Sequence, residues 1–132
     1  MQFAPYISFL AFIAALTLAA CQTTTPKTQE PVRYWGLQTR LLDNDLVQFH
    51  VTLSGTQSAE QEVRYAECAA AQYTPIRGFG FARHVRTRIG RQADRLSVDA
   101  VYTISRFPPQ GTKTIEAEVV AGACARDKIP MA

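Results

Sequence analysis

Arginine is the residue whose number and spacing in this sequence most strongly suggest chemistry. The chain of 132 residues has 11 arginines against three lysines, and seven of the arginines lie between residues 77 and 106, where the acids are Asp94 and Asp99. A guanidinium group is a rigid fork of donors that matches the oxygens of phosphate and carboxylate. The sequence therefore predicts an anion-binding strand. Its candidate residues are His84, Arg86, Arg88, Arg83 and Arg91.

A purely structural interpretation of the same arginines stays open. Glu116 and Glu118 follow later in the chain and would neutralise the arginines if their strands were neighbours. Alternatively, the arginines form a solvated face that resists aggregation. The two interpretations differ in whether the positive charge is available to a ligand.

The sequence offers little for catalysis or metal binding. His50 and His84 are the two histidines, and neither has a second histidine or a carboxylate at the spacing of a metal site. The chain has no Gly-x-Ser-x-Gly motif, and the cysteines have other expected roles. We therefore expect a protein that is not an enzyme and that holds no metal and no cofactor.

The first 20 residues contain 16 hydrophobic residues and no Asp, Glu, Lys or Arg, and they end in Leu18-Ala19-Ala20-Cys21. This segment resembles the signal peptide and lipobox of bacterial lipoproteins. The resemblance implies cleavage after Ala20 and acylation of Cys21, so that the protein is anchored to a membrane by lipid. Gln22 after the cysteine implies the outer membrane, facing the periplasm. An uncleaved N-terminal anchor helix is the alternative.

With Cys21 lipidated, Cys68 and Cys124 remain as an even pair in an oxidising compartment. We predict that they form a disulfide. Two buried free thiols are the alternative.

Hydrophobic periodicity predicts the elements that position these residues. Alternation of Val47, Phe49, Val51 and Leu53 predicts a strand over Leu46 to Gly55, paired in a hairpin with a strand over Tyr34 to Leu42. A capping-box pattern predicts a helix from Ala59 to Tyr73, ended by Pro75.

Three further strands are predicted after the helix. The first has an apolar face of Phe79, Phe81, Val85 and Ile89 and an opposite face that carries His84, Arg86 and Arg88, with a bulge or strand end near Arg83 and a turn over 90–94. The other two alternate over Val98 to Ile104 and Ile115 to Ala121, separated by Pro108-Pro109-Gln110-Gly111. The predicted fold is α+β, an antiparallel sheet of about five strands with one packed helix, in the order ββαβββ, with one disulfide.

These patterns divide the chain into a signal peptide over 1–20, a lipidated cysteine with a flexible tether over 21–31, and a single domain over 32–132. Within the domain, Tyr65-Ala66-Glu67-Cys68-Ala69-Ala70 followed by Arg77-Gly78-Phe79-Gly80-Phe81 resembles small uncharacterised bacterial lipoproteins, a resemblance that brings no known activity.

The expected function is that of a membrane-anchored lipoprotein of the cell envelope, most simply a non-catalytic protein-interaction or scaffolding module. The alternative is an anion binder whose Arg-rich strand contacts lipopolysaccharide, lipid headgroups or acidic glycan. Nucleic acid is not an expected partner, because export would separate the protein from it and the aromatic residues alternate into the predicted core.

Overall fold

The computed structural model describes residues 31–55 and 59–130. The predicted signal peptide, Cys21 and the tether up to residue 30 lie outside the described residues. The described elements are β1 (Arg33–Asp43), β2 (Leu46–Ser54), α1 (Ala59–Ile76), β3 (Phe81–Gln92), β4 (Arg95–Ser105), β5 (Thr114–Glu116) and α2 (Ala117–Arg126). None of the helices in this part of the chain is long and apolar enough to cross a membrane.

The five strands form one antiparallel sheet in the order β1-β2-β4-β3-β5. Two hairpins, β1-β2 and β3-β4, make up most of it and meet where β2 pairs with β4. The sequence prediction of an α+β fold with an antiparallel sheet and a packed helix is confirmed. The second hairpin is longer than predicted, because the strands continue to Gln92 and Arg95 and the turn narrows to Ala93-Asp94.

The core lies between one face of the sheet and α1. Alternate residues of β2 and β4 point into it, and all of them are buried. They are Val47, Phe49, Val51 and Leu53 on β2, and Leu96, Val98, Ala100, Tyr102 and Ile104 on β4. From α1, alanines at 66, 69 and 70 complete the core, and their small side chains let the helix approach the sheet closely. Each large apolar side chain buried in this layer contributes about 1.5–3 kcal/mol.

The end of α1 differs from the prediction. The helix continues past Tyr73 to Ile76 and contains Pro75 in its last turn. Proline has no backbone N–H to donate there. The last carbonyl groups of the helix instead accept hydrogen bonds from the residues that follow it. Gly78, with φ of 81°, donates to the carbonyl of Pro75 at 2.9 Å, and Phe79 donates to that of Thr74 at 3.1 Å. This is a Schellman motif, which needs a left-handed residue at the position of Gly78.

The last predicted strand is wrong beyond Glu116. The strand β5 has three residues, paired with Phe81–Arg83 of β3, and the chain then forms α2. The alternation of Ile115, Ala117, Val119 and Ala121 suggested a strand, but alanine is the strongest helix former and small side chains gain little in a sheet. The buried residues of α2 are Ala117 and Cys124, seven positions apart, which is a helical spacing.

The predicted disulfide is present. Cys68 and Cys124 are both buried and bonded, with a Cα–Cα distance of 5.9 Å. Because residues 117–126 are helical, the bond joins α1 to α2.

Candidate functional site

A bulge in β3 decides which of its side chains share a face. The register pairs His84 with Tyr102 and Arg86 with Val101, so the strand gains one residue, Val85, between them. Directly opposed residues on neighbouring strands have their side chains on the same face. Since Tyr102 points into the core and Val101 points away from α1, His84 and Arg86 lie on opposite faces.

The predicted grouping of the strand therefore changes. Arg83, Arg86 and Arg88 lie together on the face away from α1, while His84 and Arg91 lie on the side of α1 because they oppose Tyr102 and Leu96. The sequence placed His84 with the arginines, and it placed the bulge near Arg83, two residues before its actual position.

The apolar face predicted for this strand is only partly right: Phe79 packs against the core and Ile89 opposes Val98, but Phe81 opposes Ser105 on the other face and Val85 is the bulge. Val85 and Ile89 are 49% and 48% exposed, whereas Ala82, which opposes Ile104 on the core side, is completely buried. The one large apolar residue that β3 places opposite a core residue of β4 is Ile89, opposite Val98, and it stays half-exposed.

We call the side of the sheet away from α1 the outer face. Its rows follow from the strand registers. One row of directly opposed residues across the four long strands consists of Arg40, Gln48, Val101 and Arg86. The next row consists of Gln38, His50, Asp99 and Arg88. Arg33 and Arg95 lie at one end of this face, and Arg83 lies at the other. Six arginines thus project from three strands, β1, β3 and β4, around the carboxylate of Asp99, which makes the outer face cationic.

Asp99 lies at the centre of this face and is held by Gln48. The Gln48 amide Nε2 donates to both carboxylate oxygens, at 2.8 and 2.7 Å. Arg86 is an ion-pair partner at a longer distance, with 3.9 Å from Nη1 to Oδ1. A partly exposed pair of this geometry contributes about 0–1 kcal/mol. Asp99 is therefore held mainly by Gln48 and leaves the hydrogen-bonding capacity of Arg86 largely unused.

Two guanidinium nitrogens on the outer face are buried without a hydrogen-bond acceptor among the described residues. They are Nε of Arg83 and Nη1 of Arg86. A buried donor without an acceptor costs about 1–3 kcal/mol. The suggested neutralising partners do not supply acceptors: Glu118 lies on α2, and Glu116, which shares the outer face opposite Phe81, forms no ion pair with either arginine in the described chain. An oxyanion would satisfy these donors once the two side chains turn outward, because both nitrogens are shielded from solvent in the free chain.

Sequence reasoning missed the aromatic end of the outer face. Trp35 donates its indole N–H to Ser54 Oγ at 2.8 Å, and the guanidinium of Arg95 lies 3.9 Å from the ring centroid. A cleft of about 250 Å³ beside them is lined by Pro31, Arg33, Trp35, Ser54 and Asp94. The sequence contains one signal for this contact, a single tryptophan in a predicted strand that also carries arginines. The signal does not predict the Trp35–Arg95 contact, because that contact depends on the register of two strand pairs.

On the α1 side, His84 lies at a separate recess. Its Nε2 is 2.6 Å from Thr87 Oγ1, and its ring packs edge-on against Tyr102 with centroids 5.4 Å apart. The recess, about 410 Å³, is lined by Val63, Glu67, His84, Thr87, Tyr102, Lys113 and Ile115. Burial and the charge of Lys113 lower the pKa of His84, and burial together with Glu67 raises the pKa of Tyr102. Both groups are therefore neutral at pH 7.

Metal ligands do not converge in the part of the chain that the structure describes. Within residues 31–55 and 59–130, no three His, Cys, Asp or Glu side chains come together in a way that could hold a metal ion.

The fold and the outer face together define a disulfide-linked α+β domain that covers one sheet face with helices and leaves the other, cationic face open. The chain belongs to the YNQ4 C-terminal domain family, whose model matches residues 34–128. It is also 29% identical over 89 residues to the protein named "Uncharacterized 26.9 kDa protein in nqo8 5'region" of Paracoccus denitrificans. That match covers 67% of this chain and 35% of the relative, so the chain spans about a third of the relative's length. No solved structure matches the chain.

Proposed function

We propose that this protein is a lipid-anchored component of the cell envelope whose domain binds an anionic envelope polymer, without catalysis, on the outer face. The observation that carries the proposal is the pair of buried guanidinium donors on Arg83 and Arg86 that lack acceptors within the described chain. Arg88 adds a third cation beside them. Phosphate or carboxylate groups of lipopolysaccharide, lipid headgroups or acidic glycan have the oxygens that these donors need.

An extended polymer suits the arrangement better than a single small anion. The arginines are spread over three strands and not gathered into one pocket, so successive anionic groups can each meet one or two of them. Each exposed cation adds about 1 kcal/mol at most near an anionic surface, and affinity therefore grows with the number of contacts.

The membrane anchor in this proposal is supported by the Leu18-Ala19-Ala20-Cys21 motif. Its test is Cys21→Ala in the full chain, followed by mass measurement and membrane fractionation. We expect the variant to lose the acyl mass and to leave the membrane fraction. Unchanged mass together with unchanged partitioning would remove the anchor from the proposal without touching the outer face.

Ligand binding is tested with the full chain and purified lipopolysaccharide as the probe. We expect affinity to fall at least tenfold between about 50 and 500 mM salt, because exposed charge contacts are screened over that range. Arg86→Glu combined with Arg88→Glu should abolish binding. The matched control combines Arg77→Glu and Arg126→Glu, which changes the net charge equally but alters arginines outside the outer face. Binding that ignores salt, or equal losses in both double variants, would contradict the proposal.

A protein-interaction role is the second candidate, favoured by exposed apolar side chains on β1. Tyr34, Trp35, Leu41 and Leu42 are between 37% and 47% exposed. An apolar protein contact predicts binding that survives high salt and tolerates the Arg86→Glu and Arg88→Glu pair, so the same experiment separates the two candidates.

A further inference from the structure

The strand β1 forms one edge of the sheet, and within the described residues its outer side has no neighbouring strand. Its 11 residues carry neither proline nor lysine, which are the usual protections of an edge against pairing. Four of them are large apolar residues with substantial exposure: Tyr34 and Trp35 near the start, and Leu41 and Leu42 near the end. A long edge with exposed apolar side chains is a template for another strand.

The second free edge of the sheet differs in the features that matter. The short β5 covers only Phe81–Arg83, so the rest of β3 is also without a neighbour among the described residues. That stretch carries Arg86, Arg88 and Arg91 and the bulge at Val85. A run of like charges opposes the addition of another strand, whereas β1 carries charges of both signs. Of the two edges, only β1 is suited to pairing.

The sequence of β1 is complementary to itself when read in the opposite direction. Around Gln38, an antiparallel copy sets Arg33 against Asp43, the Tyr34-Trp35 pair against Leu41-Leu42, and Gly36 against Arg40. Opposite charges and apolar pairs placed across two strands are the contacts that stabilise sheets. The side chain of Arg40 would meet a glycine, which leaves it room.

The irregularities of β1 preserve this symmetry. One register shift lies between Tyr34 and Gly36 and the other between Leu41 and Asp43, so each half of the strand contains one. The two halves therefore keep equal lengths on either side of Gln38. If β1 had a single bulge, the residues at one of its ends would no longer lie opposite their partners on an antiparallel copy.

From this symmetry we infer that β1 is the interface of a two-fold homodimer in which two copies pair antiparallel about Gln38. The occupant of the edge is a second copy of this chain, selected by the charge and apolar complementarity above. A two-fold axis perpendicular to the sheet gives a continuous sheet of ten strands and places both outer faces on the same side. The inference does not depend on the proposed function, but it would double the cationic surface available to one polymer.

The first test is sedimentation velocity of the full chain in mild detergent over a range of concentrations. We expect a dimer for the natural sequence. Arg33→Asp or Asp43→Arg alone should weaken the dimer about tenfold, since each creates two like-charge pairs across the axis. Both substitutions together exchange the charges and should restore the affinity. Arg91→Asp, on the other free edge, is the control and should have no effect.

A monomer at every concentration would overturn the inference and would leave the edge to a different occupant. A dimer that is insensitive to the single substitutions, or one that the double substitution weakens further, would place the interface elsewhere.

The second test is covalent. In a Cys21→Ser background, Gln38→Cys places two thiols opposite each other on the proposed axis, where directly opposed residues are close enough for a disulfide after small adjustments. We expect a disulfide-linked dimer under mild oxidation. Gln92→Cys, at the tip of the other hairpin, is the control. No cross-link at Gln38, or equal cross-linking in the control, would contradict pairing about this residue.

Discussion

At the scale of single residues, the arginines of the outer face are not equivalent. Arg83 and Arg86 each bury a donor without an acceptor in the described chain, whereas Arg88 is exposed. A buried donor of this kind lowers stability in the free protein and becomes useful only when a ligand supplies an acceptor. Such residues are therefore expected to trade stability against binding.

This trade predicts the effect of Arg83→Met. Methionine keeps an aliphatic stem of similar length and removes the buried donor, so the free energy of unfolding should rise by about 1 kcal/mol in the absence of ligand, while affinity for lipopolysaccharide falls. Chemical denaturation of the full chain measures the first quantity. Arg88→Met is the control and should change stability by less than about 0.5 kcal/mol. A clear loss of stability for Arg83→Met would show that its buried donor is already satisfied.

His84 predicts how stability depends on pH. Burial and Lys113 make its pKa lower in the folded chain than in the unfolded chain. As the pH falls, the unfolded chain therefore takes up the proton first, and stability is lost from about pH 6.5 downward until folded His84 is protonated as well. Thermal unfolding between pH 8 and 5 should show a smaller acid loss for His84→Asn than for the natural chain.

The matched substitution is His50→Asn, which alters the other histidine, on the outer face. If His84→Asn and His50→Asn change the pH profile equally, the effect does not arise from the recess around His84.

The grouping of site residues shows where residue-level inference from sequence fails. The sequence shows that arginines cluster in this part of the chain and that few acidic residues accompany them. Arg83, Arg86 and Arg88 do share a face. His84 could not be grouped correctly, because the extra residue at Val85 puts it on the opposite face from Arg86 and no residue type marks that position. The fixing of Asp99 by Gln48 likewise depends on a register between strands 51 residues apart in sequence.

At the scale of elements, strong hydrophobic periodicity predicted the secondary structure correctly, whereas weak periodicity did not. Strands with large β-branched or aromatic residues on one face, such as Leu46–Ser54, were placed nearly to the residue. The segment after Glu116 has mostly small residues whose alternation is compatible with either period, and its state is set by contact with α1 through Cys124. The helix α2 therefore could not be distinguished from a strand by pattern alone.

The Schellman motif at the end of α1 predicts the cost of changing Gly78. Its φ of 81° is unfavourable for any residue with a side chain, although an added Cβ would meet no atom within 4 Å. Gly78→Ala should therefore lower the free energy of unfolding by about 1–2 kcal/mol through backbone conformation alone. Gly36→Ala is the control, since it also has open space but no positive φ. Equal effects of the two substitutions would contradict this explanation.

The Cys68–Cys124 bond predicts a larger effect. It joins α1 to α2 across 56 residues of sequence, and the loop-entropy model gives about 4 kcal/mol for a ring of this size. Denaturation of the double Cys68→Ser, Cys124→Ser chain should show a loss of that order. Serine at both positions also buries two hydroxyls, so reduction of the natural chain provides a second measurement without substitution. A loss below about 1 kcal/mol in both measurements would mean that α2 docks without help from the bond.

At the scale of the whole molecule, the sheet separates two environments. One face is covered by α1 and supplies the apolar core, and the other carries six arginines from three strands. A single layer of helices leaves the second face open, and an open face of an antiparallel sheet is free to be polar. The same fold that makes the core possible therefore also presents the cationic surface.

This layering couples ligand binding to the stability of the whole fold. The outer-face arginines are brought together only in the folded sheet, so an anionic polymer binds the folded chain far better than the unfolded chain. Binding then stabilises the fold by mass action, by about 2.7 kcal/mol at a ligand concentration 100 times the Kd. We expect the melting temperature of the full chain to rise with inorganic polyphosphate and not with chloride of equal ionic strength.

The variant that combines Arg86→Glu with Arg88→Glu should lose this rise, whereas the one that combines Arg77→Glu with Arg126→Glu should keep it. Because the two variants have the same net charge, a difference between them cannot come from general screening of the chain by salt. It must come from where the arginines lie, since Arg86 and Arg88 occupy adjacent rows of the outer face and Arg77 and Arg126 lie outside the sheet. An equal rise in both variants would mean that polyphosphate stabilises the fold without using the outer face, and would remove that surface as the binding site.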